Sequence, residues 1–488
     1  MTTSFVDLPT LDQDDVIEAI KHLREDNPPP PGAMFPILPT ENRYGFLFED
    51  LQTDPANLLR PDCNTVANLI RLGEVMVDDP SNPKLDSDIP SAYTYLGQLI
   101  DHDLTKQSFG ANPNITDRTM PFVPLRRNEI DSLSNIRTVG LDLDCIYGPA
   151  IEVGPPYEIL RDPVNKEKLK LERTAKAPPK PELPREKNPP HPALIGDRRD
   201  DENLMVSQLH LAFILAHNKL VDLGETFERA RQILRRHYQW IVVNDYLLRV
   251  CDRTIVKAVL DGKLKLFDPP DDNTKMPLEF AVAAFRFGHS MTRDFYNYNS
   301  TFEKAPLFQL LLPGFLNQYH HIPTEWTIDW KRFTDGRNMA RRIDTKLALG
   351  LKRLENGSGR AMPLSLASID LLKGFLLRVP TGEAVAKRLG ATPLSTSQIF
   401  KLIGKDQAQA IVDGKFEKRT PLWFYVLVEA QESGGSQLGL VGSSIVASVM
   451  IGLARQSRDS YLRVPGFKPT LGTGSRFKLP DLFKFAGV

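Results

Sequence analysis

The sequence predicts a mainly α fold with very little β, built as one large domain, on three observations. Apolar residues recur at steps of three and four over most of the chain, runs with the period of two that a strand needs are few, and no segment repeats. The 488 residues are 41% hydrophobic and 25% charged, enough for a large buried core and close to soluble globular averages. Lys and Arg number 61, as do Asp and Glu, so no charge excess argues for nucleic acid or an acidic membrane as partner. Cys63, Cys145 and Cys251 lie far apart without CxxC spacing, which excludes a disulfide scaffold and a cysteine zinc site. They are expected as buried thiols.

Taken in order, residues 1–60 read as an N-terminal arm over a body of residues 61–488. The PPPPG run at 28–32 is stiff, extended and unable to join a helix. The acidic, polar start MTTSFVDLPTLDQDDVIEA lacks the basic and apolar regions of a cleavable signal, so a cytoplasmic protein, or one exported by a leaderless route, is expected. A helix is expected over YTYLGQLIDHDLT, with Ser91 as its cap. Residues 174–192, TAKAPPKPELPREKNPPHP, read as a structureless Pro-rich surface insert. Leu209, Phe213, Ala216 and Leu220 then mark one face of a helix, and Thr226 starts a long one through about Val250. Pro277 suits the first turn of LEFAVAAFRFGHSM. Further helices are expected at Ser368–Leu377, Gly382–Leu389, Ser397–Ile403, Leu422–Glu432 and Ser443–Leu453. The most apolar stretch, Leu438 to Leu453, contains Gly442, Ser443 and Ser444 and is too short for a transmembrane segment. With no coiled-coil repeat, a monomer is the default.

Four clusters carry polar groups that chemistry can use. In residues 93–105, Gln98 and His102 stand four apart and share a face, with Asp101 beside it and Asp103 pointing elsewhere. A helix end with solvated carboxylates and a satisfied histidine has the same pattern. In GDRRDDENL, residues 196–204, Asp201 and Glu202 suit first-turn acids with Arg198 and Arg199 as surface partners. A helix start with an Arg equally suits a bound anion or a polar oxygen intermediate. In AAFRFGHSM, residues 283–291, Arg286 and His289 stand three apart among Ala and Phe: a core histidine, or the axial ligand and propionate partner that an iron porphyrin needs. In GLDLDCIYG, residues 140–148, Asp142 and Asp144 alternate with apolar residues, as in a calcium loop or a half-exposed strand. Each pattern alone leaves both readings open.

In this order, LGQLIDHDLT, TVGLDLDCIYG, GDRRDDE, AHNKLVD and FRFGH resemble the animal-type haem peroxidases of the peroxidase–cyclooxygenase superfamily. TPLWFYVLVEA and LGLVGSSIVASVMIGLAR are similar to bacterial members. The resemblance runs from about Tyr93 to the C-terminal region and leaves the arm and the Pro-rich stretch uncovered. It implies a helical domain around a buried haem b and an oxidoreductase that answers oxidative stress. The implied reaction reduces hydrogen peroxide via a ferryl intermediate and oxidises a halide, thiocyanate or small phenolic donor.

Carried over residue by residue, the resemblance makes His102 the distal base, Gln98 its neighbour and Arg199 the distal arginine. Asp101 and Glu202 become candidates for ester bonds to haem; some members carry a methionine after that acid, but this chain has Asn203, so no sulfonium link is implied. His289 becomes the proximal ligand of the haem iron and Arg286 a propionate contact. Calcium is implied at Thr138, Gly140 through its carbonyl, Asp142 and Asp144, with Asp103 reaching over from beside His102. Behind the proximal histidine the family commonly has an Asn with a basic residue three on; SIDLLKG puts Asp370 and Lys373 there. A carboxylate at that place increases imidazolate character in His289 and stabilises ferric iron.

Two other readings compete. A haem-dependent fatty-acid dioxygenase of the same superfamily needs a tyrosine three residues before the proximal histidine, where this chain has Arg286. A non-catalytic haem- or calcium-binding interaction protein should have lost the distal trio, yet Gln98, His102 and Arg199 are all present.

Overall fold

Helices and short 3-10 turns dominate, and strands are pieces of two to five residues. The computed structural model describes residues 42–488 except 80–81, 83–84, 109–122, 149–156, 269–273, 307–315, 353–363, 458, 473 and 475; the PPPPG run lies outside the described residues. Eight helices carry the argument: α1 (Cys63–Glu74), α2 (Ala92–Leu104), α3 (Leu204–Asp222), α4 (Phe227–Ile241), α5 (Leu366–Leu376), α6 (Leu422–Glu432), α7 (Leu440–Gln456) and α8 (Leu479–Ala486). α3 packs against α2, α4 and α8, while α5 packs on α1 and α6, and α6 on α7.

α3 is mostly apolar and buried on nearly every face, the pattern of a helix surrounded by protein. It is the one described helix long and apolar enough to cross a membrane, yet 83% of its apolar window is buried inside the protein. Asn203 starts it by accepting the Val206 N–H at 3.0 Å, an ordinary N-cap. α7 has no such cap at Gly439; instead Glu429 of α6 accepts the N–H groups of Val441 and Gly442 at 2.8 and 3.3 Å. Burial pushes that carboxyl up to about 7. α4 runs into a π turn, Val242–Tyr246, before helix resumes at Leu247–Val250, which fills the long helical span expected through Val250. Cys145 and Cys251 are free and buried.

Several expectations need correction. Ser91 does not cap α2: its own backbone is helical, φ −67° and ψ −15°, and its hydroxyl makes no cap bond, whereas a cap needs extended backbone. LEFAVAAFRFGHSM is not one α-helix but a short α turn, Leu278–Ala281, followed by a 3-10 stretch, Ala284–Met291. Residues 140–148 form no strand; bends lead into the helical turn Asp144–Tyr147. The described end of the arm is part of the core. Tyr44, Phe46 and Phe48 are buried, Asn42–Gly45 pairs antiparallel with Ser134–Asn135 and parallel with Met276–Pro277, and Glu279 accepts the N–H groups of Leu47 and Phe48. Nor is the Pro-rich insert structureless: Pro181–Glu182 pairs with Glu172–Arg173 as a hairpin, and Glu182, Leu183 and Arg185 are buried. Glu182 and Arg185 go inside because they are paired, Arg185 making a two-pronged bond to Asp201 at 2.6 and 2.6 Å.

Two glycines of the motifs have steric reasons. A Cβ on Gly97 would lie 2.6 Å from the Tyr246 hydroxyl of the π turn, and one on Gly196 would lie 2.5 Å from the Cys145 carbonyl oxygen. Gly97 thus lets α2 approach the π turn, and Gly196 lets the 196–204 segment approach the Asp144–Tyr147 turn.

Candidate active site

Two histidines stand on neighbouring segments, and each has its own carboxylate. His102, on the last turn of α2, is buried, with Nδ1 2.6 Å from Asp200 Oδ1. The other oxygen of Asp200 is 2.6 Å from Nδ1 of His210 on α3. Burial pushes the Asp200 carboxyl up, but hydrogen bonds from both imidazoles outweigh it and hold it below the usual carboxylate range. An ionised carboxylate only accepts, so both Nδ1 atoms donate. A neutral His102 then carries its lone pair on Nε2.

His289 sits in the 3-10 stretch, with Nδ1 2.5 Å from Asp370 Oδ2 on α5. Asp370 is buried and His289 is 27% exposed. The same logic leaves Nε2 of His289 as its lone pair. Beside it, a Cβ on Gly288 would meet no atom within 4 Å, so the backbone borders open space there. In a 3-10 helix residues three apart eclipse, which sets Arg286 directly one turn before His289. Arg286 reaches α2: Nη1 is 3.3 Å from Asp101 Oδ2, while Nε donates to the Ala281 carbonyl at 2.9 Å. Burial raises the Asp101 carboxyl, but the charges of Arg286 and Arg199 help bring it below its ordinary value; Thr105 Oγ1 also donates to it at 3.0 Å. The Arg286–Asp101 pair joins the two histidine-bearing segments.

Around His102, Gln98 Oε1 accepts from Asn203 Nδ2 at 3.0 Å, so the residue that caps α3 also orients the glutamine. Arg199 is not a surface partner of Asp201 and Glu202. Its guanidinium binds Asp197 at 2.7 Å and the carbonyls of Thr105 and His102 at 2.7 and 3.2 Å, fixing the end of α2 that carries His102. Asp197 is buried, yet Arg137, Arg199 and Lys106 hold its carboxyl well below the usual range. Glu202 follows as the half-buried C-cap of the Arg198–Asp201 turn. Lys373 is half-buried one turn after Asp370 on α5.

The third group surrounds Asp103. Its Oδ1 accepts the Asp144 N–H at 2.5 Å, and its buried Oδ2 has no hydrogen bond. Asp144 Oδ2 accepts from the N–H and hydroxyl of Thr138, both at 2.7 Å. Asp142 accepts from Ser457 Oγ at 2.5 Å, and its second oxygen would lie 2.6 Å from a Cβ on Gly140. Burial, followed by the charges of Asp144 and Asp142, pushes the Asp103 carboxyl well up. Burial raises Asp144 as well, against the opposing pull of Arg137 and Thr138.

Sequence reasoning missed Asp200 and His210. The signal was present: a histidine on the buried face of an apolar helix needs a polar partner, and α3 begins just after two aspartates that read only as helix-start acids. What hid it was that Asp200 and Asp201 look alike in sequence but turn to different neighbours, His102 and His210 for one, Arg185 for the other.

The animal haem peroxidase family profile matches residues 107–396, more than half of the chain. Chorion peroxidase of Aedes aegypti is 24% identical over 307 residues, 59% of this chain and 37% of that protein. Peroxidase mlt-7 of Caenorhabditis elegans is 33% identical over 111 residues, 21% of this chain and 15% of that protein. The chain thus spans well under half the length of these two curated relatives. Among solved structures, peroxidase A of Dictyostelium discoideum superposes with a TM-score of 0.60 at 18% identity, covering 86% of this chain and 88% of that one. A fatty acid alpha-dioxygenase of Arabidopsis thaliana gives 0.56 at 15%, covering 86% and 72%. At these identities the superpositions speak for the mainly α fold, while the profile speaks for descent. The chain belongs to the animal haem peroxidase family.

Proposed function

We propose that the chain is a haem-dependent peroxidase that reduces hydrogen peroxide and oxidises a small donor: a halide, thiocyanate or a phenol. The observation that carries this reading is the pairing of two histidines with separate buried carboxylates, His102 with Asp200 and His289 with Asp370, on segments joined by Arg286 and Asp101. The residues present fit a haem. His289 offers Nε2, Gly288 leaves room beside it, Arg286 supplies a cation for a propionate, and Asp101 and Glu202 supply carboxylates for its rim. Bound haem would supply the redox chemistry, accepting oxidising equivalents from peroxide for delivery to the donor.

The chain's own residues do the rest. Asp370 accepts the His289 Nδ1 proton and aims Nε2, and its charge makes the imidazole a stronger donor to iron. Asp200 holds the Nδ1 proton of His102, so Nε2 is the atom that takes a proton from the inner oxygen of peroxide and returns it to the outer one. Arg199 fixes the end of α2 beneath His102 and adds a permanent positive charge to the pocket, which favours charge separation in the O–O bond. Gln98, steadied by Asn203, offers its amide to a water or anion in the pocket. The dioxygenase reading lacks its tyrosine: at that position Arg286 is tied to Asp101.

We also propose the two ester links and the calcium. Asp101 and Glu202 would each form an ester to a haem methyl group, the carboxyl O–H and one methyl C–H giving up their hydrogens and two electrons to hydrogen peroxide, which leaves as two waters. After turnover, haem is expected to resist acid–butanone extraction, and Asp101→Val and Glu202→Gln are each expected to release more of it; complete extraction from the unmutated protein rejects the links. Calcium is held by Asp103, Asp142, Asp144, Thr138 and the Gly140 carbonyl, an all-oxygen set that suits a hard cation. The unpartnered Asp103 Oδ2 and the mutual repulsion of these buried carboxylates support it. At a hundredfold excess over Kd such an ion adds about 2.7 kcal/mol of stability. Chelation by EGTA is therefore expected to lower the thermal midpoint, and calcium, but not magnesium, to restore it. A midpoint indifferent to chelation counts against the site.

A further inference from the structure

The Pro-rich insert and the HH pair at 320–321 play no part in the proposed chemistry, yet the fold brings them together. The hairpin register sets Glu172 directly opposite Glu182, a like-charge pair that repels unless something positive lies between. His321 is placed there: its Nδ1 is 2.7 Å from Glu182 Oε1 and 3.8 Å from Glu172 Oε2. His320 packs on it with ring centroids 4.1 Å apart at 65°. One ligand atom from each of Glu172, His320 and His321 falls within 4.8 Å of the others, and this is the one such trio among the described residues.

Hydrogen bonding leaves two of these groups unsatisfied. Glu172 Oε2 and His320 Nε2 are both shielded from solvent and neither has a hydrogen-bond partner, a costly state for buried polar atoms. A protonated His321 between the two glutamates would account for the glutamates but would leave His320 Nε2 without a role. A cation answers both. The His191 ring lies 5.3 Å from that of His320, and its Nδ1 lies 2.8 Å from the Glu186 carbonyl. Since a carbonyl only accepts, His191 donates from Nδ1 and keeps a lone pair on Nε2.

We propose that Glu172, His320 and His321 form a site for a zinc-class divalent cation that ties the insert hairpin to the 316–326 segment, with His191 next to it as a reserve ligand. Two imidazoles and one carboxylate suit zinc and its first-row neighbours rather than calcium or magnesium. Zinc bonds of about 2.0–2.2 Å draw the three ligand atoms slightly closer than they stand now. Glu182 is the outer carboxylate that fixes the His321 ring, the arrangement usual for metal-bound histidine. The site is separate from the haem residues, but Arg185 carries its hairpin to Asp201, next to Asp200.

The test uses the full-length, haem-loaded protein without a polyhistidine tag, stripped of metal and titrated with zinc by calorimetry. One equivalent is expected to bind, and cobalt in its place is expected to give the visible bands of a tetrahedral nitrogen and oxygen site. Glu172→Gln and His320→Ala are each expected to abolish that equivalent while leaving the Soret band unchanged; Glu182→Gln should weaken it about 10–100-fold. Unmutated protein that takes up no zinc, or binding that survives both Glu172→Gln and His320→Ala, overturns the proposal. If His320→Ala fails to fold, Glu172→Gln, which keeps the side-chain shape, decides alone.

Discussion

His289→Ala is expected to yield a folded protein that holds no haem and shows no Soret band, whatever the haem supply during expression. The argument rests on one free nitrogen. Asp370 occupies Nδ1 of His289 at 2.5 Å, so Nε2 is the atom that would hold the haem iron, and the carboxylate keeps the ring in place. Absorption after gel filtration, with circular dichroism as the check on folding, reads the result. A glycine in place of His289 should regain part of the band when imidazole is added, since the small ligand fills the vacated space and can still reach Asp370. Normal haem content in His289→Ala would assign the iron to another residue.

His102→Ala is expected to keep haem and to react with hydrogen peroxide at least about a hundredfold more slowly, the scale of losing a positioned general base. Asp200→Asn should fall between this variant and the unmutated protein, for a specific reason. The carboxylate now accepts from Nδ1 of both His102 and His210, and hydrogen bonds to a charged group contribute about 1.5–3 kcal/mol each. An amide offers one acceptor and one donor, so one of the two imidazoles must move its proton to Nε2. Wherever that imidazole is His102, the atom that should take the peroxide proton already carries one. Rapid mixing with peroxide, monitored at the Soret maximum, ranks the three proteins; equal rates for His102→Ala and the unmutated protein would remove His102 from the reaction.

Much of the candidate site is legible in the sequence because its residues lie in short runs. Gln98, Asp101, His102 and Asp103 lie within two turns of one helix, and Arg286 and His289 share one stretch, so spacing alone relates the members of each run. The Asp370 partner of His289, 81 positions away, came only from the resemblance of a seven-residue run to the family's pattern. What sequence could not supply was the choice among similar acids. Asp197, Asp200 and Asp201 sit in one turn, yet they serve Arg199, two histidines and Arg185 respectively, and only the packing of α2, α3 and the insert hairpin separates them. The same limit explains the insert. Its prolines and charges read as surface, because nothing local reveals that Arg185 meets Asp201 or that Glu172 and Glu182 face a histidine pair. The helical class was legible from periodicity, but the 3-10 form at Ala284–Met291 was not, since residues at steps of three suit either helix over so short a run.

The central claim is that His289 would hold a haem and that His102 would move the peroxide proton beside it. It is tested most directly by the absorption spectrum of the purified, haem-supplemented protein before and within milliseconds of adding one equivalent of hydrogen peroxide. The account predicts a Soret band that is present at the start and changes on that timescale. A protein without a Soret band, or with one that peroxide leaves unaltered, contradicts it.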